Sequence, residues 1–171
     1  MTVGNLTRNV LIRSSSTANL NYLQDSSNGH FSATFGEFAY IGGGSTEVVH
    51  GERGSDALAY AQSYDVGSVR LTERHVTVDP PTADEMAAMR ASAKAAFASV
   101  PAYASDVPPV GIAGTMTTLA ALSLKMTDYD GARVHGLTLP VTEMERVAKE
   151  LAAVPLEERS KLPGLEPKRA D

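Results

Sequence analysis

The sequence predicts an α/β domain, a mixed β-sheet with flanking helices. Three observations carry that expectation. Residues 32–50 read as a glycine-tipped hairpin, two helical stretches each open on a Thr-x-x-Glu box, and short apolar strand-like segments stand between the helices. Hairpin partners run antiparallel and crossover helices join parallel neighbours, so the sheet is expected to be mixed. A chain of 171 residues can bury one core.

Residues 1–30 are rich in Ser, Asn and Thr, with apolar patches only at 10–12 and 20–23 and no sustained period. They are expected to be poorly ordered, and the folded unit is expected over 31–171. Residues 32–41 are aromatic and weakly alternating, Gly42, Gly43 and Gly44 form a turn, and residues 47–50 are β-branched. A third strand is expected at 58–64. Residues 66–73 lead into an irregular stretch for which helix stays open. Thr82 and Glu85 form a capping box ahead of Met86, Met89, Ala93, Phe97 and Val100, which share one helical face and read as core packing.

Residues 108–113 read as a short buried strand, and Gly114 and Thr115 open a helical segment over 116–124. After a turn at 129–131, a strand is expected at 136–140. Thr142 and Glu145 suggest a second capping box before Met144, Val147, Leu151 and Val154. One more turn is expected at 156–161, and no terminal element is expected to dock after it.

Composition narrows the function. Twenty acidic against fifteen basic residues leave a net charge of −5, and no Lys/Arg run could track a polyanion, which argues against nucleic acid. Cysteine is absent, which removes disulfide and thiolate chemistry. No stretch is long and apolar enough for a signal core or a membrane span, so a cytoplasmic protein is expected.

The richest local chemistry lies at Gly42, Gly43, Gly44, Ser45, Thr46 and Glu47. Glycines at a hairpin tip let an oxyanion approach backbone N–H groups, Ser45 and Thr46 add hydroxyls, and Glu47 could orient water or hold a divalent cation. A plain flexible turn is the competing reading for the glycines alone. Arg70 could pair with phosphate or brace a loop against Glu73. His30, His50, His75 and His135 lack metal-ligand spacing and read as surface or satisfied residues. Ser45 has no activating base in sight, so it reads as a donor rather than a nucleophile.

The segments IGGGSTEVVHG, SYDVGSVRLTERHV, VGIAGTMTTLAALSLKMTDYDGARVHGLTL and LEERSKLPGLEPKRAD resemble, in order, the motif blocks of the exopolyphosphatase and guanosine pentaphosphate phosphohydrolase (Ppx/GppA) family. The resemblance implies the ribonuclease-H-like fold of the actin-like ATPase superfamily. It implies hydrolysis of terminal phosphate from polyphosphate or guanosine pentaphosphate by attacking water, with Mg2+ as the cofactor. In that picture Gly42, Gly43, Gly44, Ser45 and Thr46 form the second phosphate loop, and Glu47 acts on metal or water. Gly114 and Thr115 sit at a strand-to-helix turn facing the cleft, with Arg70 near the phosphate.

The sequence departs from the family pattern at three places. Tyr40 stands where the family has aspartate, directly before the glycine run. The family's preceding domain, with an Asp-x-Gly loop and a glutamate base, has no counterpart in residues 1–40, and family members continue past the RAD block. Two readings therefore stand: a phosphoanhydride hydrolase of the Ppx/GppA type, or a truncated, catalytically inactive remnant that keeps anion affinity. A third and weaker one is a nucleotide-binding, kinase-like half domain. An exposed half-cleft would also invite association into a homodimer.

Overall fold

The computed structural model describes residues 9–13, 37–51, 58–102 and 109–171. Six strands form one open sheet: β1 (Asn9–Arg13), β2 (Glu37–Ile41), β3 (Thr46–Gly51), β4 (Leu58–Tyr64), β5 (Val110–Ile112) and β6 (Thr138–Pro140). Their spatial order is β4-β3-β2-β5-β1-β6. The β2–β3 and β3–β4 pairs are antiparallel, whereas β5 runs parallel to both β2 and β1, and β6 closes the far edge antiparallel to β1. The sheet is mixed, as the hairpin and the crossover helices require.

The helices are α1 (Ser68–His75), α2 (Ala83–Ala96), α3 (Gly114–Ser123), α4 (Gly131–Val134), α5 (Val141–Ala152) and α6 (Leu156–Arg159). Short 3-10 turns follow α2 at Phe97–Ser99 and end the chain's regular structure at Pro167–Arg169. The main core lies between the sheet and α3, where Ile12, Met116, Ala120, Ala121, Met126, Val134 and Leu139 pack together. A second cluster joins Leu122 of α3 and Val147 of α5 to Leu165 and Ala170.

Thr82 caps α2 as its sequence suggests: its hydroxyl accepts from the Glu85 amide, and the Glu85 carboxylate accepts from the Thr82 amide. Glu85 also accepts from the Thr77 hydroxyl and amide, and these hydrogen bonds, the Thr77 hydroxyl foremost, lower its pKa to about 2. The apolar face of α2 is only half-buried, Met86 and Met89 included, and Phe97 meets Tyr64 edge-on at 5.2 Å.

Three expectations change, and one left open is settled. Residues 9–13, placed in a poorly ordered segment, form β1 in the interior of the sheet, and Ile12 is fully buried. Three apolar residues become a strand when neighbours on both sides supply their hydrogen bonds. Residues 1–8 and 14–36 lie outside the described residues, as do 32–36 of the expected hairpin strand. The irregular stretch after Val66 is α1. Thr142 does not cap α5, because the helix starts directly from Pro140 at its N-cap, with no side-chain cap bond. The terminal residues do dock, with Leu165 and Ala170 buried against α3 and α5.

Arg159 explains that docking. It is 14% exposed, and its guanidinium donates to the carbonyls of Leu151, Val154 and Ala170 and to Asp79 Oδ1. Leu151 lies in the last turn of α5, where backbone acceptors have no intrahelical partner, and Val154 follows just past the helix end.

Candidate functional site

The β2–β3 register pairs Ile41 with Thr46, which leaves residues 42–45 to make the turn. The Gly42 amide donates to the Ser45 carbonyl at 2.9 Å and closes it. Helix α1 packs end-on against this loop. Ser68 N donates to Gly42 O at 3.1 Å and Arg70 N to Gly43 O at 3.0 Å, so loop carbonyls satisfy two otherwise unpaired amides of the helix start. Gly67 makes this approach possible, because a Cβ there would stand 2.7 Å from Gly42 O and closer still to Gly43. With the carbonyls turned toward α1, no described residue accepts from the amides of Gly43, Gly44 or Ser45.

Glu47 lies beside this loop on β3. Its Oε1 accepts from the Ser45 hydroxyl at 2.8 Å and from the Ser63 hydroxyl of β4 at 2.9 Å. Two hydroxyl donors hold the carboxylate in one orientation, and Oε2 accepts from no described residue. Directly opposite across the hairpin is Tyr40. Opposed residues of antiparallel strands project from the same face with Cβ atoms about 5 Å apart. A carboxylate at position 40 would therefore neighbour that of Glu47, and the phenol stands in its place.

Two expected donors are committed elsewhere. Thr46 is 4% exposed and its hydroxyl donates to the Val66 carbonyl at 2.6 Å, so it fixes the loop's base rather than facing a ligand. Arg70 braces the loop: Nε donates to Gly44 O at 2.7 Å, and Nη2 lies 3.8 Å from Asp65, which replaces the expected Glu73. Its guanidinium stays 43% exposed over the loop. Among the histidines, His75 shares a hydrogen bond with the Ser92 hydroxyl, His50 is buried against the Tyr60 ring, and His30 lies outside the described residues.

The second half of the site follows β5. Parallel pairing of β2 with β5 sets Tyr40 beside Ile112, so the chain leaves both strands at the same edge of the sheet. The 42–45 loop and the start of α3 thus sit side by side at strand carboxyl ends, where open α/β sheets bind ligands. Between β5 and α3, Ala113 has φ 77°, a left-handed conformation that costs a residue with a Cβ about 1–2 kcal/mol. Helix α3 starts with no side-chain cap. Its first turn, with Gly114 and Thr115, leaves amides for an anion.

Arg169 is the residue the sequence reading missed here. Its guanidinium packs on Gly114, where a Cβ would stand 2.9 Å from Cζ. Nε donates to Glu166 at 3.1 Å, and Lys168 and Arg169 hold the Glu166 carboxyl below the usual range. Beside α3 an open depression of about 460 Å³ is lined by Thr117, Thr118, Met126, Tyr129, Glu166 and Arg169, among others. Arg169 was legible only as a letter of the RAD block, because its partner Gly114 lies far away in sequence.

The profile of the Ppx/GppA phosphatase family matches residues 14–171. The chain belongs to the Ppx/GppA phosphatase family. It is 39% identical over 135 residues to exopolyphosphatase 2 of Mycobacterium tuberculosis, an alignment covering 77% of this chain and 41% of that protein. Among solved structures it is similar to the type II variant of the Aquifex aeolicus Ppx/GppA phosphatase, with a TM-score of 0.71 and 34% identity over 80% of this chain and 45% of that one. It is also similar to an exopolyphosphatase-like protein with a TM-score of 0.69 and 28% identity, covering 88% of this chain and 49% of that one. The chain thus spans less than half the length of these Ppx/GppA relatives. Its fold is theirs, the ribonuclease-H-like fold of actin-like ATPases.

A divalent cation has few ligands among the described residues. Among the described residues no group of three or more His, Cys, Asp or Glu side chains gathers to hold one. Glu47 supplies a single oriented carboxylate. That fits a hard cation such as Mg2+, which commonly keeps several waters and shares one or two carboxylates with substrate phosphate. No described helix is long and apolar enough to cross a membrane.

Proposed function

We propose that this chain binds the terminal phosphates of polyphosphate or of guanosine pentaphosphate, and that it serves the phosphoanhydride hydrolysis of the Ppx/GppA type. The observation that carries this reading is the Tyr40–Ile112 register, which sets the 42–45 loop beside the α3 turn at one sheet edge. The free amides of Gly43, Gly44 and Ser45 receive one set of phosphate oxygens. Gly114 and Thr115 at the start of α3, with Arg169 over them, receive another, and Arg70 adds positive charge above the loop. Glu47 orients the attacking water and shares its carboxylate with Mg2+, which supplies neutralising charge for the phosphoryl group when bound. The name of the Mycobacterium tuberculosis relative favours polyphosphate. We place the protein in the cytoplasm.

A second reading follows from the pairing of Tyr40 with Glu47. A phenol lacks the paired carboxylate oxygens that hold a hard cation and position water, so these residues bind anion without turning it over. Titration with tripolyphosphate tests the first part: amide signals at Gly43, Gly44, Ser45, Gly114 and Thr115 should move together, and shifts confined elsewhere would refute it. Phosphate release from polyphosphate tests the second. None is expected from the unmodified chain, and Mg2+-dependent release abolished by Glu47→Ala would return the hydrolase reading.

A further inference from the structure

We propose that β1 is a separable strand ligand of the groove between β5 and β6, and that its docking sets the phosphate turn at the start of α3. The second half of this statement rests on the anion reading above. The family match covers residues 14–171, so Asn9–Arg13 lies outside the matched stretch. Yet β1 fills an interior position of a sheet whose other members all lie inside that stretch.

Its docking is complete on both sides. Toward β5, Leu11, Ile12 and Arg13 pair in parallel with Val110, Gly111 and Ile112. Toward β6, Asn9, Val10 and Leu11 pair antiparallel with Pro140, Leu139 and Thr138. Ile12 N donates to Leu137 O at 2.7 Å, and Gly136 N donates to Ile12 O at 2.8 Å. Register is fixed by the side chains: Ile12 is fully buried among Met116, Ala120 and Leu139, with Val10 packed against the same cluster. A slip of one residue would turn Ile12 out of the core. The groove therefore selects an apolar residue at position 12 and at position 10, and the chain's own segment supplies both.

The two halves of the site depend on β1 differently. Without it, β5 would keep only β2 as a neighbour and β6 would have none. Ile112 of β5 directly precedes Ala113, whose strained φ persists only where its surroundings determine it. Helix α3 packs on Ile12 through Met116 and Ala120. The 42–45 loop is held instead by β3, α1 and Arg70, none of which pairs with β1. Loss of docking should loosen the α3 turn and leave the glycine loop in place.

The test uses the full chain carrying Ile12→Asp, with amide hydrogen exchange and tripolyphosphate titration read residue by residue. Exchange at Gly111, Ile112 and Leu139 should accelerate at least about tenfold, with Val48 and Val49 of β3 little changed. Tripolyphosphate shifts at Gly114 and Thr115 should shrink, with those at Gly43 to Ser45 retained. A synthetic peptide of residues 5–17 should restore the slow exchange, and the same peptide carrying Ile12→Asp should not. Unchanged exchange at Gly111 overturns the docking, and faster exchange with intact Gly114 shifts overturns the control of the turn. Should Ile12→Asp unfold the whole sheet, Ile12→Val is read in the same way: selective acceleration at Gly111 supports the proposal and uniform or absent acceleration refutes it. If the unaltered protein shows no tripolyphosphate shift anywhere, the anion reading fails while exchange and the peptide still decide the docking.

Discussion

The guanidinium of Arg169 lies on Gly114, the first residue of α3, so closely that any Cβ there would displace it. Planarity matters as much as charge in that position, because a flat group stacks on backbone and still offers N–H groups along its edge. Gly114→Ala should therefore expel Arg169 from the helix start. Tripolyphosphate affinity, followed at the Thr115 amide, should fall about tenfold in Gly114→Ala and in Arg169→Gln, the loss of one charge-assisted hydrogen bond. Arg169→Lys should recover only part of it. Full affinity in all three variants would remove Arg169 from the site.

Tyr40→Asp should set a second carboxylate beside Glu47 and strengthen cation binding there. Two carboxylates facing each other across the hairpin repel, which raises the pKa of one of them, and a divalent cation relieves the repulsion. Mn2+ should broaden the amide signals of residues 42–45 in Tyr40→Asp far more than in the unmodified protein. Glu47→Gln in the same background should abolish that broadening. No phosphate release is expected from Tyr40→Asp alone. Equal broadening with and without the substitution would show that position 40 is no ligand.

Glu85 ties folding to acid. Its pKa is lowered to about 2 from the ordinary glutamate value of 4.5, chiefly by the Thr77 hydroxyl. A carboxylate depressed by folding stabilises the native state above its unfolded pKa, and that contribution is lost as pH falls through the folded value. The window is therefore between about pH 4.5 and pH 2. Urea midpoints should drop across it, and Glu85→Gln should flatten the drop while lowering the midpoint at pH 6. Thr82→Ala should cost about 1 kcal/mol at neutral pH through the lost cap.

Arg159→Met should destabilise more than any surface substitution. It leaves the carbonyls of Leu151, Val154 and Ala170 without their donor and Asp79 without its ion pair. Each abandoned acceptor costs on the order of 1 kcal/mol or more, so a loss of about 2–4 kcal/mol is expected from urea unfolding. Arg159→Lys should restore little of it, because an ammonium cannot span four acceptors arranged around a planar fork. A midpoint unchanged in Arg159→Met would mean that the terminal turn is held by Leu165 and Ala170 alone.

Local chemistry was legible in the sequence and distant pairing was not. The glycine-tipped hairpin and the Thr82–Glu85 box follow from turn residues, weak alternation over 32–41 and a spacing of three, all within a few positions. The second box at Thr142 misled because it obeys the same spacing, and only the start of α5 straight after Pro140 removes its need. Helix α1 has no fully buried residue and no side-chain cap, so the sequence left helix open there without deciding it. Thr46 looked like a ligand donor until its hydroxyl met Val66, twenty positions on. Arg169 and the strand at 9–13 depend on partners far along the chain, which no periodicity records.

Leu11 and Val110 are neighbours in space and ninety-nine positions apart in the chain. That separation shapes how the molecule assembles. Closing so long a loop costs entropy before any contact rewards it, and topologies dominated by such closures fold slowly. During synthesis residues 9–13 emerge long before either of the strands that flank them, whereas the hairpin and β4 can pair as soon as they leave the ribosome. Sheet assembly should begin at the β4 side and finish with the insertion of β1. Until then an apolar Val-Leu-Ile segment stays exposed to whatever else in the cell binds extended apolar chain, which makes chaperone capture of the nascent protein a foreseeable cost of this topology.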